Sequence, residues 1–296
     1  MLTVVLFLAL GVGVARWPGR PAELGRAFDW FVVRIAFPAR IITLVPELEL
    51  GGRALVPVAA QWGVMGVLIV AILVIGRLLG WSRRTTGTLL CVVPFGNTAF
   101  LGFPVVELLL GEDQLGWALL YDQLGSFLAL ATVGTVLLGV YGPGDRATVG
   151  EIVRRTVTFP TFVALVAGFV LRLTGLPGPV EAVLVALGAT LVPLAIISVG
   201  MRLRLPRTAA AIGPLATGIG LRVVFAPVVL LAVGAALGLG GDPWAVSVLE
   251  AGMSSGVVAS ILAADHGLDE DLAAGMSGLG VLPAVALAPV WAGLVA

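Results

Sequence analysis

Lysine is missing from this chain of 296 residues, and all 17 of its basic residues are arginine. Cysteine occurs once, at Cys91, and histidine once, at His266. A lone cysteine excludes an internal disulfide and any multi-cysteine metal site, so Cys91 reads as a small buried apolar residue. Charge is scarce as well. Charged residues make up 11% of the chain and the net charge is zero, where a soluble domain carries about 25%. No basic tract exists, which excludes nucleic acid as a partner. H-E-x-x-H, Walker and dinucleotide-binding strings are also absent, and no cofactor is expected.

What is present is hydrocarbon. Hydrophobic residues account for 59% of the chain and the mean hydropathy is +1.11, the composition of an all-α integral membrane protein. Apolar runs of bilayer length, punctuated by Arg, Asp, Gly and Pro, predict ten spans. They fall near residues 2–16, 24–46, 54–79, 86–110, 115–141, 157–174, 179–200, 209–238, 243–265 and 271–295. The first, about 22 Å at 1.5 Å per residue, suits only a thinned or helix-covered patch. Lacking a basic n-region and an A-x-A site, it reads as a membrane helix and not as a cleaved signal.

Arginine sets the orientation. Loops after odd-numbered spans hold Arg16, Arg20, Arg26, Arg77, Arg83, Arg84, Arg146, Arg154, Arg155, Arg202, Arg204 and Arg207, while the other side holds only Arg53 and Arg172. The positive-inside rule places the first group in the cytoplasm of an inner (plasma) membrane, with both termini outside.

A repeat underlies the order of spans. Pro38 in the second span and Pro193 in the seventh lie 155 positions apart, and GEDQL at Gly111 precedes GLDEDL at Gly267 by 156. Two five-helix copies result, residues 1–141 and 157–296, joined by a cytoplasmic linker at 142–156. Five is odd, so the second copy enters upside down, a 5+5 inverted repeat. The fourth span, LLCVVPFGNTAFLGFPVVELLLG from Leu89, carries Pro94, Gly96, Asn97, Thr98, Gly102 and Pro104 where a continuous helix wants Leu or Ala. Its counterpart, the ninth, is rich in Gly and Ser at Gly252, Ser254, Ser255, Gly256 and Ser260. Backbone groups freed inside a bilayer must line a cavity or be covered by protein. Two broken helices at matching depth would cross at their breaks and offer half-helix N-termini to an anion.

These residues resemble those of the auxin efflux carrier family, the bacterial relatives of the plant PIN proteins. NTAFLGFP at Asn97–Pro104 is similar to the family's N-T-x-x-x-G-x-P. FVVRIAFP at Phe31–Pro38, VPLAIISVGMRL at Val192–Leu203 and LEAGMSSGVV at Leu249–Val258 resemble its second, seventh and ninth helices. The resemblance implies the fold of bile-acid and Na⁺/H⁺ transporters. Spans 1, 2, 6 and 7 would form a scaffold, often a homodimer, and spans 3–5 and 8–10 a mobile transport domain around crossed helices 4 and 9. It also implies organic anions such as auxin or dicarboxylates as cargo. Two positions depart from the family pattern, Gly96 and Ser254, which stand where proline is usual.

The candidate substrate contacts are Gly96, Asn97, Thr98, Ser254, Ser255, Gly256, Gln123 and Arg222; the helix breaks are Pro94, Gly102, Pro104 and Gly252. Asn97 and Thr98 have an alternative role as caps of the broken half-helix. Intramembrane charge marks function, so Glu250 and Asp122 are candidates for proton or ion coupling, with pairing to arginine as the alternative. Arg34 and Arg222 lie deep, where a guanidinium would bind a carboxylate substrate or a structural partner. Glu107 is expected at the interface and His266 in a solvated loop. GMSSG at Gly252–Gly256 matches the G-x-S-x-G of serine hydrolases, but His266 stands about 18 Å along a helix from Ser254. The expectation is therefore a carrier and not an enzyme: a secondary active transporter of small organic anions working by alternating access. A sodium-coupled symporter of the bile-acid type is the rival, and an intramembrane serine hydrolase the remote one.

Overall fold

Proline and glycine decide where the helices of this chain end or widen. The computed structural model describes residues 2–48, 51–143, 148–203 and 211–295. Arg146, Arg204 and Arg207, which enter the orientation count, lie outside the described residues. Within them every regular element is helical, and the only extended pairing is one antiparallel bridge, between Gly96 and Ser255.

The first half runs through α1 (Leu2–Arg16), α2 (Leu24–Phe31), α3 (Phe37–Leu44), α4 (Leu55–Leu78), α5 (Arg83–Val92), α6 (Phe103–Leu109), α7 (Leu115–Leu120) and α8 (Thr135–Tyr141). A short helix α9 (Val149–Val157) leads into the second half. That half comprises α10 (Pro160–Thr174), α11 (Gly178–Gly188), α12 (Leu191–Met201), α13 (Ile212–Gly220), α14 (Ala226–Leu237), α15 (Asp242–Ala251), α16 (Val257–Asp265), α17 (Glu270–Gly278) and α18 (Val281–Val295). The predicted spans coincide with helical stretches over most of their described length, and the fourth and ninth are interrupted at residues 93–97 and 252–256. Among the described residues five continuous stretches are long and apolar enough to cross a bilayer, namely Gly52–Leu78, Glu112–Tyr141, Gly178–Met201, Ile212–Leu237 and Glu270–Val295. A sixth arises if α9 and α10, bent by 59° at Pro160, count together. The stretch from α2 to α3 is as long, but carries Arg26, Asp29, Arg34 and Arg40.

Three π-turns precede prolines. Val32–Ala36 stands before Pro38, Thr98–Gly102 before Pro104 and Leu221–Phe225 before Pro227. A proline supplies no N–H to the carbonyl four residues back and its ring presses on that turn, so the helix widens there instead of stopping. Ends are set by ordinary means. Ser82 accepts from Thr85 N at 3.0 Å to start α5, Thr148 and Glu151 form a capping box on α9, and Gly238 closes α14 in the left-handed conformation (φ 65°).

Small residues bring helices together. Gly11 of α1 and Gly200 of α12 leave no room for a side chain between their backbones, and Gly168 of α10 packs on Val45 just after α3. Arg202 pairs with Asp29 of α2, and Arg172 donates to Leu48 O at 2.6 Å. These contacts gather α1–α3 and α10–α12. The remaining helices gather around the two breaks, which follow α5 and α15.

Candidate functional site

The two interruptions meet. Main-chain N–H of Asn97 donates to Ser254 O at 2.7 Å, and Gly256 N donates to Phe95 O at 2.8 Å. A Cβ on Gly256 would lie 3.0 Å from Gly96 O, so the two extended strands of backbone touch where glycine permits it. Ser254, which stands where the family pattern has proline, serves this contact through its carbonyl.

Behind the junction lies Arg222, fully buried on the π-turn between α13 and α14. Its Nε donates to Met253 O at 3.1 Å and its Nη2 to Glu250 O at 3.2 Å, with a longer 3.5 Å contact from Nη1 to Pro94 O. Gln61 of α4, which the sequence reading did not single out, donates from Nε2 to Pro94 O at 3.1 Å. These carbonyls are the orphaned C-terminal ends of α5 and α15, where helix dipoles are negative and a cation is favoured. A Cβ on Gly96 would collide with Arg222 Nη2, which explains why glycine stands there. Arg222, expected to face a substrate, instead has its guanidinium held by these carbonyls and does not line the cavity in front of the junction. Glu250 is also sealed, with its carboxylate packed on Gly102 and no hydrogen bond to either oxygen.

In front of the junction is a cavity of about 470 Å³. Gly96, Asn97, Thr98 and Gly256 line it from the breaks, and Asp122, Gln123 and Ser126 from the π-turn Tyr121–Phe127. Thr98 donates its hydroxyl to Asp122 Oδ1, and Gln123 Nε2 donates to Asp122 Oδ2 at 2.6 Å. Asn97, the chain's single asparagine, caps nothing: its Nδ2 is buried without a partner and points at no protein acceptor. The expected capping role of Asn97 and Thr98 side chains is thus not observed. Val33, Arg34, Phe37, Phe159, Arg155, Thr158 and His266 also line it, and of these Arg34, Arg155 and Thr158 are exposed.

Of the residues expected at the site, Gly96, Asn97, Thr98, Gln123, Gly256 and Asp122 share this cavity. Ser254 and Ser255 are buried beside it with unpartnered hydroxyls and do not line it. Pro94, Gly102, Pro104 and Gly252 shape the breaks from behind, Gly252 by leaving space for Trp291. His266 differs from expectation. It follows α16 half-buried, with Nδ1 2.8 Å from Leu262 O, because the helix runs to Asp265 and brings it into the cavity lining. Glu107 is half-buried near the end of α6, as an interfacial residue would be.

Known proteins of similar sequence are transporters. An uncharacterized transporter of Methanothermobacter thermautotrophicus is 29% identical over 98% of this chain and 96% of its own length. An uncharacterized transporter of Methanocaldococcus jannaschii is 26% identical over 61% of this chain and 60% of its own. A family model described as membrane transport protein matches residues 1–292. The chain is a multi-pass membrane protein belonging to that family, the auxin efflux carrier-like transporters.

Proposed function

We propose that this protein is a secondary active transporter of small organic anions, auxin-like or dicarboxylate, and that the anion's charged group sits in front of the broken helices. The observation that carries the reading is the unpartnered Nδ2 of Asn97 beside two helix N-termini, in a cavity that mixes apolar walls such as Phe37, Phe100 and Phe159 with a few polar and charged side chains. Freed backbone N–H groups and a donor without an acceptor suit a carboxylate.

Ten spans, arranged as inverted five-helix copies, account for the paired interruptions. α1–α3 and α10–α12 serve as scaffold, the site of any homodimer, and the helices around the breaks as the moving body. Both groups line the cavity, and its lining includes the exposed Arg155 and Thr158 of the arginine-rich side, which supports an inward-facing state with both termini outside. Coupling by protons fits Asp122, which faces the cavity, better than Glu250, which does not. The sodium-coupled rival is disfavoured because Arg222 already neutralises the carbonyls of Glu250 and Met253 that an ion at the junction would use. The hydrolase reading fails for want of a base, since His266 lines the cavity and buried Ser254 does not.

Asn97→Ala tests the site. Uptake into proteoliposomes should fall at least tenfold with the melting temperature unchanged, and unaltered uptake would remove the proposed contact.

A further inference from the structure

The geometry points to Arg34 as a second anchor for the substrate, a guanidinium that binds the distal carboxylate of a short dicarboxylate. This inference rests on the cavity reading above, which supplies the first anchor at Asn97.

Arg34 lies ten residues past the start of α2, so about 15 Å deep along a helix that enters from the arginine-rich side. It rides the π-turn ahead of Pro38 and lines the cavity, where it is exposed. Other arginines within or beside the described spans are engaged. Arg40 pairs with Glu112, Arg202 with Asp29, Arg172 holds main-chain carbonyls and Arg222 holds the junction. Arg34 has neither a hydrogen bond nor an ion pair among the described residues.

The charged groups lining the cavity are Arg34, Arg155 and Asp122, and His266 lines it too. Asp122 is held by Thr98 and Gln123 and does not pair with Arg34. One negative charge at the breaks therefore leaves Arg34 without a counter-charge at membrane depth, where a lone cation is disfavoured unless water or an anion answers it. A dianion spanning the cavity answers both ends. The guanidinium fork takes a carboxylate bidentately, which makes the second contact selective for that group and not only for charge.

Thermal unfolding of the purified full-length protein in detergent, titrated with butanedioate and with butanoate, tests the assignment on a pair matched in carbon skeleton. Wild type should hold butanedioate at least tenfold more tightly than butanoate. Arg34→Gln should bring the two affinities together by weakening butanedioate alone, and Arg34→Lys should retain part of the preference. Because Arg34 is exposed and unbonded, the unliganded melting temperature should not move; the wild-type ratio and the lysine variant carry the test if the glutamine variant fails to fold. Equal weakening of both acids by Arg34→Gln, no change in either, equal wild-type affinities, or no stabilisation of wild type by either acid would each overturn the second anchor. Asn97→Ala separates the two levels. If it weakens both acids while Arg34→Gln is silent, the broken-helix site stands and only the second anchor falls. If it leaves both unchanged while wild type binds them, the site itself is misplaced and the second anchor falls with it.

Discussion

Arg222 and Arg34 are both arginines on π-turns set by a downstream proline, yet their surroundings give them opposite tasks. Arg222 is enclosed by carbonyls and closes the junction, whereas Arg34 looks into open space. Arg222→Met should destabilise the protein by about 3–5 kcal/mol, the cost of leaving buried polar groups without a partner, read as a lowered melting temperature in detergent. Gly96→Ala should do comparable damage, since its methyl displaces Nη2. The two changes act on one contact, so combining them should cost less than the sum of both, which a double-mutant cycle on thermal stability will show. Sequence alone put both arginines deep in the membrane. It could not say which would face a carbonyl and which a cavity, because that depends on other segments of the chain, 28 to 128 positions away in the case of Arg222.

At the level of elements, each break follows from local chemistry. Pro94, Gly96 and Pro104 interrupt one helix and Gly252–Gly256 the other, and these boundaries were readable because proline and glycine act within four residues of themselves. Gln61 was not readable, as nothing in an apolar helix announces that one glutamine will meet a distant carbonyl. The same holds for Arg40 and Glu112, 2.6 Å apart and joining α3 to the turn before α7, on the side away from the arginine-rich loops. With one partner largely exposed, the pair contributes below about 1 kcal/mol. Its position predicts a different effect: Arg40→Gln should raise the labelling rate of a Leu110→Cys reporter by an impermeant thiol reagent from outside several-fold, with little change in melting temperature. An unchanged rate would mean that the pair does not hold the outer side closed.

For the whole molecule, the cavity lining includes the exposed Arg155 and Thr158 of the arginine-rich side, and the native cysteine is buried, which makes a labelling experiment clean. Thr158→Cys in the cavity lining should react with an impermeant maleimide from the cytoplasmic face of oriented vesicles and not from the other. Labelling from outside would reverse the orientation argued from arginine. Deeper in, Ser126→Cys should react more slowly, and addition of a bound anion should slow it further.

Composition, the arginine asymmetry and the spacing of prolines determined by themselves that the chain is a helical membrane protein with two interrupted helices near Asn97 and Ser254. Those properties are short-range: hydrophobicity, dipeptide sterics and loop charge act before any distant contact forms. Only the tertiary structure decided that the breaks touch, that Arg222 and Glu250 lie sealed behind them, and that Asp122 and Arg34 share one cavity with Asn97. Burial and partnership are properties of packing between remote segments, and a side chain's chemistry in a bilayer is set by whichever neighbour or space that packing places before it.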